Sequence, residues 1–175
     1  PVRLQLELLK PQMLMDEYGV ESTVVMFGGA RIPAPSEAHL ARTDTLRDLS
    51  KYYDEARKFA RIMTERSLNT GRHDNIIVTG GGPGVMEAGS HEQAPNEYVT
   101  PDLCFNFHYF AIRKMHFLMR ACAITVFPGG FGTLDETFEA LTLIQTGRME
   151  RVPFLLFGEA FWRKIINWDA LAEAG

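Results

Sequence analysis

Cysteine is scarce, with two in 175 residues, Cys104 and Cys122. They lack the paired spacing of a zinc site and are too few for a disulfide scaffold. Both sit among apolar neighbours, which reads as reduced core thiols of a cytoplasmic protein. Long apolar runs are missing too. Stretches such as 153–157 fall far short of the ~20 residues that cross a bilayer, so no membrane partner is expected. No secretory leader is visible. Nor is there a surplus of positive charge: 18 basic against 22 acidic residues leave a net charge of -4. That balance argues against nucleic acid as a partner. Internal repeats and low-complexity tracts are also absent.

What is present is ordinary globular material, 46% hydrophobic and 23% charged. This excludes disordered and collagen-like chains and predicts one α/β domain over residues 1–175. The basic residues are skewed, with 13 Arg and 5 Lys. Arginine's planar fork suits phosphate and carboxylate, which leaves a small anionic ligand open.

Strands and helices alternate along the chain. Residues 2–16 read as a helix, with Pro11 as a break or kink. Residues 23–28, 75–79, 121–127 and 152–157 are short β-rich apolar runs that end in glycine turns. Residues 36–68 read as one helix capped by Ser36, with Leu46, Leu49, Tyr53, Ala56 and Ala60 on its buried face. Strands apolar on both faces, alternating with helices, predict a parallel sheet covered on both sides. The polar run 91–96 follows the second glycine turn too soon for a βαβ crossover of about 10–12 residues. Residues are therefore expected to be missing between Ser90 and His91, and also after Gly175.

Two glycine-rich turns each leave a strand and open a helix: GGGPGVMEA at 80–88 and PGGFGTLDE at 128–136. Such turns let backbone approach a ligand, and the helix N-terminus favours an anion. Tight strand-to-helix packing is the alternative. Neither is a P-loop, because no Gly-Lys-Ser/Thr follows. The acidic residue of a dinucleotide fingerprint, about twenty residues on, is not placed, so NAD is not the expected ligand. Thr133 and Glu136 have capping-box spacing, which would make Glu136 structural; its position beside the turn equally allows catalysis. Leu134, Phe138, Leu141 and Ile144 form the expected buried stripe of that helix. Over 110–120, Arg113, Phe117 and Arg120 share a helical face. They could grip a phosphate and stack a base, or form a solvated basic face. His108 and His116 read as packing groups. Clean metal spacing is not found, and Ser36, Ser67 and Ser90 are not in a nucleophile elbow.

Arg113-Lys114-x-x-Phe117, followed by Pro128-Gly129-Gly130-x-Gly132-Thr133-x-x-Glu136, resembles the signature of the LOG ("lonely guy") family, and the turn at 80–88 matches that family's first glycine motif. The resemblance covers residues 22–168. It implies a Rossmann-like parallel sheet, a homodimer or larger homo-oligomer, and hydrolysis of the N-glycosidic bond of a purine nucleoside 5′-monophosphate. The substrate would be AMP or a cytokinin riboside monophosphate, split to free base and ribose 5-phosphate without metal or redox cofactor. Arg113 and Glu136 would be the catalytic pair. Gly129, Gly130, Gly132 and Thr133 would cradle the phosphate. Gly81, Gly82, Gly84, Glu87 and Lys114 would line the same pocket, with Gly29 and Arg31 as further contacts. Many members carry the label "lysine decarboxylase", but Lys114 is the only lysine near the motifs and makes no convincing pyridoxal-phosphate site. The sequence departs from the family before His91, where members have a further stretch that includes a strand. The rival reading is a non-catalytic nucleotide or molybdenum-cofactor carrier, which would need neither Arg113 nor Glu136.

Overall fold

The computed structural model describes residues 2–71, 73–87 and 103–174. The expected break at Ser90/His91 lies outside the described residues. Helix α1 (Val2–Glu17) precedes strand β1 (Thr23–Phe27). A 3-10 helix (Pro35–Leu40) and helices α2 (Asp44–Asp48) and α3 (Lys51–Asn69) lead to β2 (Ile76–Thr79). Then come α4 (Phe110–Leu118), β3 (Ala121–Val126), α5 (Phe131–Gln145), β4 (Phe154–Leu156), α6 (Glu159–Ile165) and α7 (Trp168–Ala174).

Among the described residues the strands form one parallel sheet in the order β2-β1-β3-β4. β1 is buried along its whole length because helices cover both of its faces. Val24 and Met26 point to one face, where they pack with Tyr53, Ala56 and Ala60 of α3. Val25 and Phe27 point to the other, against Phe117 of α4, Ala140 of α5 and Trp162 of α6. This is the three-layer, Rossmann-like α/β architecture. The chain steps from β1 to β2 on one side and returns to β3 on the other. The order of strand addition therefore reverses between β1 and β3, the place where a parallel sheet of this kind leaves a crevice beyond its carboxyl ends.

Several local expectations are corrected. The helix expected over 36–68 is three separate pieces, and Ser36 lies inside the 3-10 turn rather than at a cap. Thr43 is the residue that caps, its hydroxyl accepting from the Leu46 amide. Cys104 is exposed, not a core thiol; Cys122 is half-buried, its thiol donating to the Thr23 carbonyl. Pro11 does not end α1, which runs through it. A proline lacks the N–H that would bond the carbonyl four residues back, here that of Glu7. His116 Nε2 lies 3.2 Å from that carbonyl and takes the vacant place. Glu7 binds α4 a second time, its carboxylate accepting from the amides of His108 and Tyr109 just ahead of the helix.

Candidate active site

Three turns meet at the crevice, tied backbone to backbone. The Gly29 amide donates to the Pro128 carbonyl at 3.0 Å, and the Val85 amide donates to the Gly29 carbonyl at 3.2 Å. The approach leaves no room for side chains. A Cβ on Gly84 would sit 2.4 Å from the Gly29 carbonyl oxygen, and one on Gly129 would sit 2.1 Å from Thr133 Oγ1. Gly84 also has φ +73°, a left-handed conformation that favours glycine. Gly84→Ala is therefore expected to destabilise the protein by about 2–4 kcal/mol, read as a lower urea midpoint with an unchanged slope. By contrast Gly81, Gly130 and Gly132 have open space where a Cβ would point.

Helix α5 starts at Phe131, with Gly130 as its N-cap and no side-chain cap. The capping box is therefore not formed. Thr133 is the third helical residue and Glu136 lies a turn deeper. The glycine turn supplies no acceptor, which leaves the first-turn N–H groups available to an anion. The buried face also differs from the expected stripe. Thr133, Glu136, Thr137 and Ala140 are buried, whereas Leu134, Phe138, Leu141 and Ile144 are only partly covered. Small side chains let α5 lie close to β1, and Thr137 returns its hydroxyl hydrogen to the Thr133 carbonyl at 2.6 Å.

That packing carries Glu136 inward. It is 9% exposed, and its carboxylate is 3.9 Å from the Arg113 guanidinium on α4. Burial pushes the Glu136 carboxyl up to about 7, against the downward pull of Arg113 and Lys114 and with a further push from Asp135 and Glu139. Arg113 lies over the Phe110 ring at 4.5 Å and within 5.8 Å of the Phe117 ring. Among the described residues its Nε is shut off from solvent with no hydrogen-bond partner. A buried donor left in that state costs about 1–3 kcal/mol, which points to a site shaped for something else to accept it.

The remaining candidates separate. Arg120 does not join Arg113; it lies past the end of α4 and donates to the Val20 carbonyl and to Gln12 and Asp16, fastening α1. Lys114 pairs with Asp135 at 2.6 Å and Glu139 at 2.9 Å. Glu87 is half-buried on the other side of the sheet, where it and burial push the Tyr53 hydroxyl up. Gly82 packs against Met86, and Arg31 is exposed beyond the first turn. Burial holds His116 below its ordinary value, and its ring stacks near Phe107. His108 is exposed. Among the described residues no cluster of His, Cys, Asp and Glu could hold a metal ion, and no helix is long and apolar enough to cross a membrane. Sequence reasoning missed Phe110, although its spacing of three from Arg113 puts the two on one helical face. It also missed the Asp135 and Glu139 pair, whose four-residue spacing was visible.

Fold and site together define a Rossmann-like α/β protein with an arginine–carboxylate pair beside a glycine-lined crevice. A family profile described as "Possible lysine decarboxylase" matches residues 78–174. The chain belongs to that family, the LOG family. No curated protein matches the chain. The decarboxylase wording implies pyridoxal phosphate, whose lysine must shed its proton to form a Schiff base. Lys114 does the opposite: burial pulls it down, but the bonds from Asp135 and Glu139 prevail and hold its ammonium above the ordinary value. Lys10, Lys51, Lys58 and Lys164 are exposed on α1, α3 and α6. These lysines do not fit pyridoxal phosphate.

Proposed function

We propose that the protein hydrolyses the N-glycosidic bond of a purine nucleoside 5′-monophosphate. The observation that carries this reading is the half-buried Arg113 set against the buried Glu136, with a carboxyl poised near 7 behind a glycine-lined helix N-terminus. Departure of the base leaves a cationic, oxocarbenium-like ribose. Ionised Glu136 opposes that charge, and a carboxyl with a midpoint near neutrality can take a proton from the attacking water. Water adds to the anomeric carbon, the bond to the base nitrogen breaks, and the base leaves with one proton. Free base and ribose 5-phosphate are the products.

The 5′-phosphate is assigned to the amides of Gly130, Gly132 and Thr133 at the start of α5, with Gly129 keeping the approach open. The Nε of Arg113 is assigned to an anion or to the base's acceptor atoms, with Phe110 and Phe117 beside the guanidinium. AMP is the default substrate. A cytokinin nucleotide differs by an apolar substituent worth only ~1–3 kcal/mol of discrimination.

The test is release of free base from AMP and from isopentenyl-AMP, followed by chromatography, with Glu136→Gln alongside. Base release by the wild type that falls by ~10²–10⁴ in the variant is the expected result. AMP that binds and stays intact in both proteins would refute hydrolysis and favour the carrier.

A further inference from the structure

We propose that Lys114 is a positioning residue for the Arg113–Glu136 pair: it pins α5 to α4 and screens the two carboxylates that flank Glu136. Asp135 and Glu139 project from one face of α5 on successive turns, and one ammonium from α4 bridges both. Its side chain is only 14% exposed. Arg113 precedes Lys114 on α4, as Asp135 precedes Glu136 on α5. Fixing Lys114 to Asp135 therefore fixes the neighbouring residues opposite each other.

Among the described residues the charges that act on Glu136 come from these two helices: Arg113 and Lys114 on α4, Asp135 and Glu139 on α5. Strand β1, packed against α5, brings Thr23–Phe27 and no charge. Asp135 and Glu139 disfavour a third negative charge between them, and Lys114 offsets both. A lysine that served the phosphate directly would keep its ammonium for the ligand. This one is already satisfied by two anions.

The test reads Glu136 itself. Glutamate labelled with ¹³C at the side-chain carboxyl is titrated in the ligand-free protein, and Glu136→Gln assigns the signal. Lys114→Met is expected to move the Glu136 midpoint upward, and Lys114→Arg to keep it near wild type. Asp135→Asn with Glu139→Gln is expected to move it downward, which decides the matter even if Lys114→Met does not fold. An unchanged midpoint in folded Lys114→Met, or in the double variant, would overturn the proposal. The kinetic arm rests on the proposed hydrolase. There Lys114→Met should lower kcat about tenfold or more with KM changed less than about threefold. A rise in KM alone would mark a direct phosphate contact and overturn positioning. If the wild type cleaves no nucleotide, the hydrolase reading fails and the titration still decides the role of Lys114.

Discussion

Glu136→Gln is expected to gain stability over wild type as pH rises, by about 2.5 kcal/mol between pH 5 and pH 8. The carboxyl titrates at about 7 in the fold, against 4.5 when unburied. Each pH unit of difference is worth ~1.4 kcal/mol. Between 4.5 and 7 the unfolded chain has released the proton that the folded protein still holds. Stability contributed by the neutral acid is therefore complete below 4.5, is lost progressively across that window, and is gone above 7. Glutamine has no such dependence. Urea unfolding of both proteins at pH 5 and pH 8 gives the difference directly, and any constant effect of the amide cancels between the two pH values. A gap that stays the same at both would show that Glu136 titrates in its ordinary range. With the expected pH dependence, the carboxyl is a burden on the fold at neutral pH, which is what a site maintained for chemistry costs.

The second large effect is expected from Arg113→Met. Methionine retains most of the apolar bulk between Phe110 and Phe117 but removes the charge facing Glu136. Base release under the proposed reaction should fall by about 10²–10⁴ in kcat/KM. The Glu136 midpoint should rise further, because Arg113 is the strongest influence drawing it down. The two readouts are independent. A fall in rate with the Glu136 midpoint unmoved would mean that Arg113 touches the substrate without tuning the acid.

Much of the sheet was legible in the sequence. β1 and β3 are apolar on both faces and end in glycine, a pattern that a doubly covered parallel strand requires. The convergence of the turns at 80–88 and 128–136 followed from their places at strand ends. The pieces between 35 and 69 were not legible, since Leu46 and Leu49 continue the helical spacing of α3 across a break made only by Ser50 and its neighbours. Nor was the orientation of α5. Its leucines and phenylalanine suggested one buried face, while close approach to β1 selected the threonines, Ala140 and Glu136. Sequence alone ranks side chains by apolarity; the distance between a helix and a sheet ranks them by size. The pairing of Arg113 with Glu136 was reached through family resemblance, because two residues 23 positions apart carry no local signal of contact.

Pro11 and Glu7 have a consequence for heredity as well as for shape. The motif residues all lie in the stretch from 78 to 174 that the family profile matches. That stretch does not contain its own scaffold. The strand that joins β2 to β3 lies upstream, and so does the helix whose freed carbonyl and carboxylate hold both the entrance and the interior of α4. A gene fragment encoding the signature alone would carry the reactive residues without the means to aim them. Substitutions at positions 7 and 11, far from any motif, should then be selected together with His116 rather than drift as surface changes.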